Sequence, residues 1–299
     1  MARVLITGFD GFTGRHLRHE LEAAGHEVHG LTHVGGEAAA RVTPCDLRDG
    51  RAVRAAVAAV APQLVAHLAA VSHVAHGDAA ELYGTNVVGT RNLLAALAEL
   101  PDPPDAVLLA SSANIYGNAS GGVIDEEVRP APANDYAVSK LAMEWMASCW
   151  ATQLPLTVVR PFNYTGVGQS PKFLIPKIVE HLRRRAPVIE LGNLDVERDF
   201  SDVRFVVGIY RRLLEAPPEG GLASGPLNVC SGTGTTLRQL VALGAELTGH
   251  TLEVQVNPAF VRDNEVRKLV GARGALERVI GPVHPIPLRD TLRWMLDAE

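Results

Sequence analysis

Short apolar runs alternate with longer stretches of helical periodicity over the first 160 or so residues. Arg3-Val4-Leu5-Ile6 is a β-rich run that stops at Thr7-Gly8. Leu17 and Leu21, four apart among polar residues, predict an amphipathic helix over 13–24 that Gly25 closes. The same reading predicts strands at 27–32, 64–69, 106–110 and 156–161, and helices at 49–60, 79–99 and 135–153. Strands that alternate with helices predict an α/β fold, a Rossmann-type doubly wound parallel sheet covered on both faces. From residue 164 the texture changes. Glycines and prolines cluster at 166–171, 186–192 and 217–226. One more strand-like run, 225–229, precedes a helix at 236–248, and 287–298 reads as a terminal helix.

Composition narrows the class. The chain has 299 residues, 47% of them hydrophobic and 20% charged, with a net charge of −5. That balance argues against nucleic acid as a partner, because phosphate neutralisation needs a concentrated excess of Lys and Arg. No apolar run reaches the length of a membrane span. The N-terminal MARVLITG reads as a strand that begins at once, not as a leader. Cys45, Cys149 and Cys230 lie far apart with no CxxC pair, which fits free thiols in a reducing cytoplasm.

Thr7-Gly8-Phe9-Asp10-Gly11-Phe12-Thr13-Gly14 sets glycines at GxxGxxG spacing between the first strand and the first helix. A glycine at the tight turn accepts strained dihedrals, and a second lets backbone approach a pyrophosphate. The helix N-terminus then offers unpaired N–H groups and partial positive charge. Residues 1–163 are therefore expected to form a dinucleotide-binding domain. Residues 164–299 should be mainly a smaller interleaved C-terminal substrate-binding lobe, with part of 199–232 returning to the sheet. The second strand ends Gly30-Leu31-Thr32-His33-Val34-Gly35-Gly36, with no carboxylate before Glu37. A carboxylate there would bind a ribose 2′-hydroxyl and repel a 2′-phosphate. Its absence favours NADP(H), with NAD(H) the other option. Asp46 follows a third short strand, where a carboxylate can accept from an adenine amino group or cap a helix.

Tyr136-Ala137-Val138-Ser139-Lys140 places a phenol and an ammonium one helical turn apart on one face. Ser111-Ser112 follow the strand at 106–110, and the carboxyl ends of parallel strands line the ligand crevice. Serine, tyrosine and lysine would meet there beside a bound dinucleotide. A tyrosine near pKa 10 is a poor acid–base group at neutrality. A nearby ammonium lowers that value, and a serine hydroxyl polarises a carbonyl.

These residues, together with HLAA (67–70), NVVGT (86–90), SSANIYG (111–117), RPFN (160–163), RDFSDV (198–203) and NVCSG (228–232), resemble the extended short-chain dehydrogenase/reductases. The similarity is to the nucleotide-sugar epimerase/dehydratase/reductase group and spans nearly the full length. The resemblance implies Ser112, Tyr136 and Lys140 as catalytic residues. It implies Gly8, Gly11, Phe12 and Gly14 at the cofactor phosphates, Asp46 and Leu47 at the adenine, and Ala69 beside the cofactor, which Tyr136 and Lys140 also touch. It implies Ser72, His73, Asn114, Asn163, Arg198, Arg262 and Glu265 as substrate contacts, the two arginines clamping a diphosphate.

Members that remove water carry an acidic pair directly after the catalytic hydroxyl residue, where this chain has Ala113 and Asn114. That leaves 4-keto reduction and 4-epimerisation. The resemblance is greatest to reductases of GDP-4-keto-6-deoxymannose, which form GDP-D-rhamnose; the alternative is an NAD-dependent nucleotide-sugar 4-epimerase. A cofactor-binding sensor without chemistry would not need both Tyr136 and Lys140. His67, His73 and His76 lack the companions of a metal site, and no metal is expected. Trp145, Met146 and Trp150 suit either core packing or the homodimer interface that relatives form through this helix and 86–99.

Overall fold

The computed structural model describes residues 1–33, 40–71, 78–117, 122–217, 219, 221, 225–260 and 268–298. Seven parallel strands form the main sheet: β1 (Arg3–Thr7), β2 (Glu27–Thr32), β3 (Val42–Pro44), β4 (Leu64–His67), β5 (Ala106–Ala110), β7 (Leu156–Pro161) and β11 (Leu227–Val229). Their order is β11-β7-β5-β4-β1-β2-β3. The chain leaves β1 toward β2 on one side and returns to β4 on the other, which opens a crevice at the carboxyl ends.

Strand alternation divides the core. Val4 and Ile6 face α1 (Phe12–Ala23) and α7 (Val203–Glu215), while Leu5 faces the layer of α2 (Gly50–Val60), α4 (Thr90–Ala98) and α5 (Asp135–Ser148). Leu17, Leu21, Val206 and Tyr210 are fully buried in the first layer. Burying a Leu or Val side chain contributes about 1.5–3 kcal/mol.

A second sheet runs β12 (Gly234–Thr236), β10 (Glu197–Asp202), β14 (Lys268–Gly271) and β6 (Val123–Ile124), with β8 (Asn163–Thr165) also paired to β10. β9 (Val188–Leu191) and β13 (Glu253–Val256) form a separate parallel pair. Helices α6 (Leu174–Arg183), α8 (Leu237–Thr248) and α10 (Leu288–Asp297) pack with them around Ile178, Leu240 and Leu292.

The predicted strands stand, several of them shorter than their apolar runs. The helix expected over 79–99 is three consecutive pieces: α3 (Ala79–Tyr83), a π-helical turn over Gly84–Gly89, and α4. Gly89 permits the wider turn to lie against Leu47, since a Cβ there would come within 2.9 Å of the Leu47 Cβ. The helix expected over 135–153 ends at Ser148. Helices α6 and α7 have no counterpart in the sequence reading. Pro176 sits in the first turn of α6, where proline costs no hydrogen bond. Asp202, the last residue of β10, caps α7 by accepting from Arg204 N.

Candidate active site

The glycine loop occupies the switch point of the main sheet. Gly8 has φ +71°, and a Cβ on it would lie 2.8 Å from Ala69 N. A Cβ on Gly14 would collide with the carbonyls of Gly8 and Phe9. Gly11 N donates to Gly8 O at 3.0 Å, and Gly11 caps α1 with no side-chain acceptor. The first-turn N–H groups of the helix that starts at Phe12 thus face the crevice without a capping side chain. Beside the loop lies a cavity of about 190 Å³, lined by Gly8, Thr32, His33, Asp46, Leu47 and Ala69 among others. A glycine cradle that side chains would fill, joined to this cavity, fits a dinucleotide.

Asp46 is in that cavity and does not cap α2; Asp49 does, accepting from Arg51 N and Ala52 N. The Asp46 carboxylate takes Arg48 Nε and Nη2, and this pairing holds it below the usual carboxylate range.

Ser112 stands just beyond β5 and opens a short 3₁₀ turn over Ala113–Tyr116. Its Oγ accepts from Asn114 N at 3.1 Å and is near enough to the Tyr136 phenol to favour its ionised form. Tyr136 is the second residue of α5, whose start Asn134 caps by accepting from Ala137 N. Lys140 lies one turn further on, 4% exposed, and its Nζ donates to Ala110 O at 2.8 Å. The structure therefore brings Ser112, Asn114, Tyr136 and Lys140 to the carboxyl end of β5.

Burial, and not the neighbouring ammonium, dominates the Tyr136 pKa in this structure. Burial pushes the phenol up to about 12, and the nearby Ser112 hydroxyl is what opposes the rise. Burial also pushes Lys140 down to about 8, against the attraction of Glu144. The physical reason is that both groups are cut off from water and the ammonium is turned toward a backbone carbonyl.

Asn163 and Arg198 lie on neighbouring strands. Asn163 pairs in register with Phe200, so it shares a sheet face with Arg198 two residues earlier on β10. Asn163 is exposed and Arg198 half-buried, with Nη1 donating to Glu197 O. Ser72, His73, His76, Arg262 and Glu265 lie outside the described residues.

Several residues at the site escaped the sequence reading. Tyr164 is half-buried against α1: its hydroxyl is 2.7 Å from Thr13 Oγ1 and its ring stacks on Phe12. It directly follows the RPFN motif, which was the available signal. Asp199 follows Arg198 and is sealed from water; its carboxylate accepts from Ser231 N, Ser231 Oγ, Gly232 N and Gly271 N. Arg160 makes a two-pronged pair with Glu144 and donates to Tyr116, whose hydroxyl bonds Asn228. His67 is packed between Thr7 and Thr90, and no His, Cys, Asp or Glu cluster that could hold a metal ion is found among the described residues.

A doubly wound sheet with a glycine cradle at its switch point, and a Ser–Tyr–Lys cluster two strands away, defines an extended short-chain dehydrogenase/reductase. The chain belongs to the NAD dependent epimerase/dehydratase family, whose model matches residues 4–230. It is 34% identical to GDP-6-deoxy-D-talose 4-dehydrogenase of Aggregatibacter actinomycetemcomitans, over 93% of this chain and 91% of the relative. It is also 34% identical to GDP-6-deoxy-D-mannose reductase of Pseudomonas aeruginosa, over 98% and 96%. Among solved structures, a Burkholderia cenocepacia J2315 protein, provisionally described as an epimerase, is 50% identical with a TM-score of 0.93, covering 99% of this chain and 97% of its own. RMD from Pseudomonas aeruginosa, solved with NADPH, is 32% identical with a TM-score of 0.84 over 99% and 96%. No helix among the described residues is long and apolar enough to cross a membrane.

Proposed function

We propose that the protein reduces a nucleotide-linked 4-keto-6-deoxyhexose at C4, with GDP-4-keto-6-deoxymannose giving GDP-D-rhamnose as the leading case. The observation that carries this reading is Ser112 beside the Tyr136 phenol, with Ser112 followed by Ala113, 3% exposed, and Asn114. It supplies a proton donor and a carbonyl-polarising hydroxyl, with no carboxylic acid beside them to expel a C6 hydroxyl. Two relatives named for GDP-6-deoxyhexoses support the choice of sugar.

A nicotinamide dinucleotide in the glycine cradle supplies the hydride to C4. Ser112 Oγ donates to the C4 oxygen and stabilises its growing negative charge. Tyr136 carries its proton throughout the neutral range and delivers it to that oxygen as carbon is reduced. Lys140, one turn further along α5, holds the nicotinamide ribose with the N–H bonds it does not give to Ala110 O. Asn114, Asn163 and Arg198 contact the substrate, with Arg198 toward the diphosphate; Ser72, His73, Arg262 and Glu265 complete that set.

NADP(H) is the preferred cofactor. The cavity presents Thr32 and His33 at the end of β2, where a carboxylate would select against a 2′-phosphate. The NADPH-bound neighbour agrees with this choice. The protein works in the cytoplasm as a homodimer, paired through the α5 face that exposes Val138 and Trp145, one heptad apart.

The test is to follow NADPH absorbance with GDP-4-keto-6-deoxymannose. Consumption is expected. The C4 configuration of the product then separates GDP-D-rhamnose from GDP-6-deoxy-D-talose, which differ only there. A second reading, NAD-dependent 4-epimerisation, is favoured by the 50% identical Burkholderia structure. Interconversion of UDP-sugars with no added reductant, and no NADPH consumption, would replace the first reading by the second.

A further inference from the structure

The first turn of α1, which faces the cofactor crevice, is fastened to the segment of chain that leaves the main sheet for the second one. β7 ends at Pro161, and β8 begins at Asn163, already paired to β10 in the second sheet. Within β8, Asn163 and Tyr164 point to opposite faces, and Tyr164 turns to α1. Its hydroxyl lies 2.7 Å from Thr13 Oγ1, and its ring stacks on Phe12 with centroids 6.1 Å apart and planes 17° from parallel. Phe12 and Thr13 are the first two residues of the helix. The fastening continues along both elements. His16 Nε2 lies 2.9 Å from Val167 O, and Arg15 donates to Gly168 O at 3.0 Å and to Asp10 O, inside the glycine loop, at 2.8 Å. Gln169 closes the segment on itself, donating to Tyr164 O and accepting from Thr165 Oγ1.

Two ligand sites therefore share one joint. On one side, the N–H groups of the first turn of α1 face the place of a cofactor diphosphate. On the other, Asn163 rides on the three-residue strand that Tyr164 anchors. Thr13 and Tyr164 each bring a hydroxyl that can donate one hydrogen bond and accept others. When Tyr164 donates to Thr13, the Thr13 proton is free for an anion at the helix N-terminus. Negative charge beside the first turn favours that arrangement and strengthens the bond that holds β8. A sugar nucleotide that fixes β8 in turn holds the first turn in its anion-binding place. A ligand that orders such a joint spares the next ligand the cost of ordering it.

We propose that Tyr164 is a positioning residue that couples the two sites: through Thr13 it makes the dinucleotide and the sugar nucleotide strengthen each other's binding. The proposal rests on the reading that this chain binds both. NADPH and GDP-mannose, a sugar nucleotide with no ketone, cannot react with each other, so calorimetry reads binding alone. In the parent, saturating NADPH should tighten GDP-mannose roughly 5-fold or more, and GDP-mannose should tighten NADPH by the same factor. Tyr164→Phe keeps the ring on Phe12 and removes the hydroxyl. It should bring both factors to within about twofold of no effect, with affinity for NADPH alone within about twofold of the parent. Thr13→Ser keeps a hydroxyl and should retain the coupling. Thr13→Val should lose it, and adding Tyr164→Phe to Thr13→Val should cost nothing further. A Tyr164→Phe protein with the parent's coupling factor, or a parent in which neither ligand changes the other's affinity, overturns the proposal.

UDP-glucose is titrated in parallel, so that a wrong base is not mistaken for lost coupling, and NADH replaces NADPH if only NADH binds. If neither sugar nucleotide binds the parent, the substrate reading fails and amide hydrogen exchange decides the proposal alone. The dinucleotide should then slow exchange across residues 163–169 in the parent and much less in Tyr164→Phe, with the glycine loop at 8–14 protected equally in both. Equal protection of 163–169 in the two proteins, or none in the parent, refutes the joint. Should Tyr164→Phe fail to fold, Thr13→Val carries the same comparison from the other side of the bond.

Discussion

Asp199 and Lys140 are both charged side chains removed from water, 0% and 4% exposed, and the fold treats them oppositely. Asp199 sits where β10, β14 and the turn after β11 meet, and four donors from three residues converge on its two oxygens. Lys140 has three N–H bonds to give and donates one of them to Ala110 O. The carboxylate is held as part of a scaffold. The ammonium keeps donors in reserve at the carboxyl edge of the sheet, beside a serine and a tyrosine. Spare hydrogen-bonding capacity in a buried site is destabilising, so its presence beside the glycine cradle points to a task outside folding.

The largest effect belongs to the side with capacity in reserve. Tyr136→Phe removes the phenolic hydroxyl and keeps the ring that packs. Turnover should fall by roughly 10²–10⁴-fold, with NADPH affinity and melting temperature close to the parent. A variant that keeps turnover within tenfold would place the proton donor elsewhere and dissolve the contrast between the two clusters. Steady-state kinetics with calorimetric cofactor titration reads both quantities.

This asymmetry was partly legible in the residues themselves. The glycine spacing, the YAVSK turn and the serine after an apolar strand are local patterns, and each lies where the pattern predicts. The main-sheet strands were legible for the same reason, because period and turn chemistry act over a few residues. Asp199 was not legible: its donors come from Ser231, Gly232 and Gly271, and nothing local joins them. Helices α6 and α7 were hidden by a first-turn proline and by a strand that runs straight into its capping aspartate. The size of the burial effect on Tyr136 and Lys140 was not legible, because helical spacing gives proximity and not the dielectric. Burial decides both shifts here, and it depends on the whole fold.

The saturated side should answer in stability. Asp199→Ala leaves three backbone N–H groups and the Ser231 hydroxyl facing an empty space. The expected loss is about 2–4 kcal/mol in denaturant unfolding. The loss should appear even with the cofactor site filled, because Asp199 belongs to the second sheet. A loss below about 1 kcal/mol would mean that the four donors find other acceptors at little cost.

Lys140→Met turns the comparison around, because it should stabilise the protein while removing turnover. Burial depresses the folded-state pKa of Lys140 from 10.5 to about 8. The folded protein therefore binds fewer protons than the unfolded chain between those values, and parent stability rises with pH across that window. Below about pH 8 the penalty for burying the ammonium is complete, and methionine avoids it. Allowing for the donor that Ala110 O loses, the variant should gain about 1–2 kcal/mol at neutral pH. The gain should shrink as pH rises from about 8 and vanish near 10.5. A variant less stable than the parent at neutral pH would show that the Ala110 bond outweighs desolvation.

The smallest effect sets the baseline for both clusters. Arg238 Nη2 lies 3.0 Å from Asp195 Oδ1, a shorter contact than Asp199 makes with Gly271 N, yet the two side chains are 65% and 76% exposed. Water and salt screen such a pair, and ordering two flexible side chains offsets what attraction remains. Arg238→Ala should move the melting temperature by no more than about 1–2 °C, with the same result at low and high salt. If instead it costs as much as Asp199→Ala, distance and not burial governs the charged groups of this fold, and the contrast between Asp199 and Lys140 loses its physical basis.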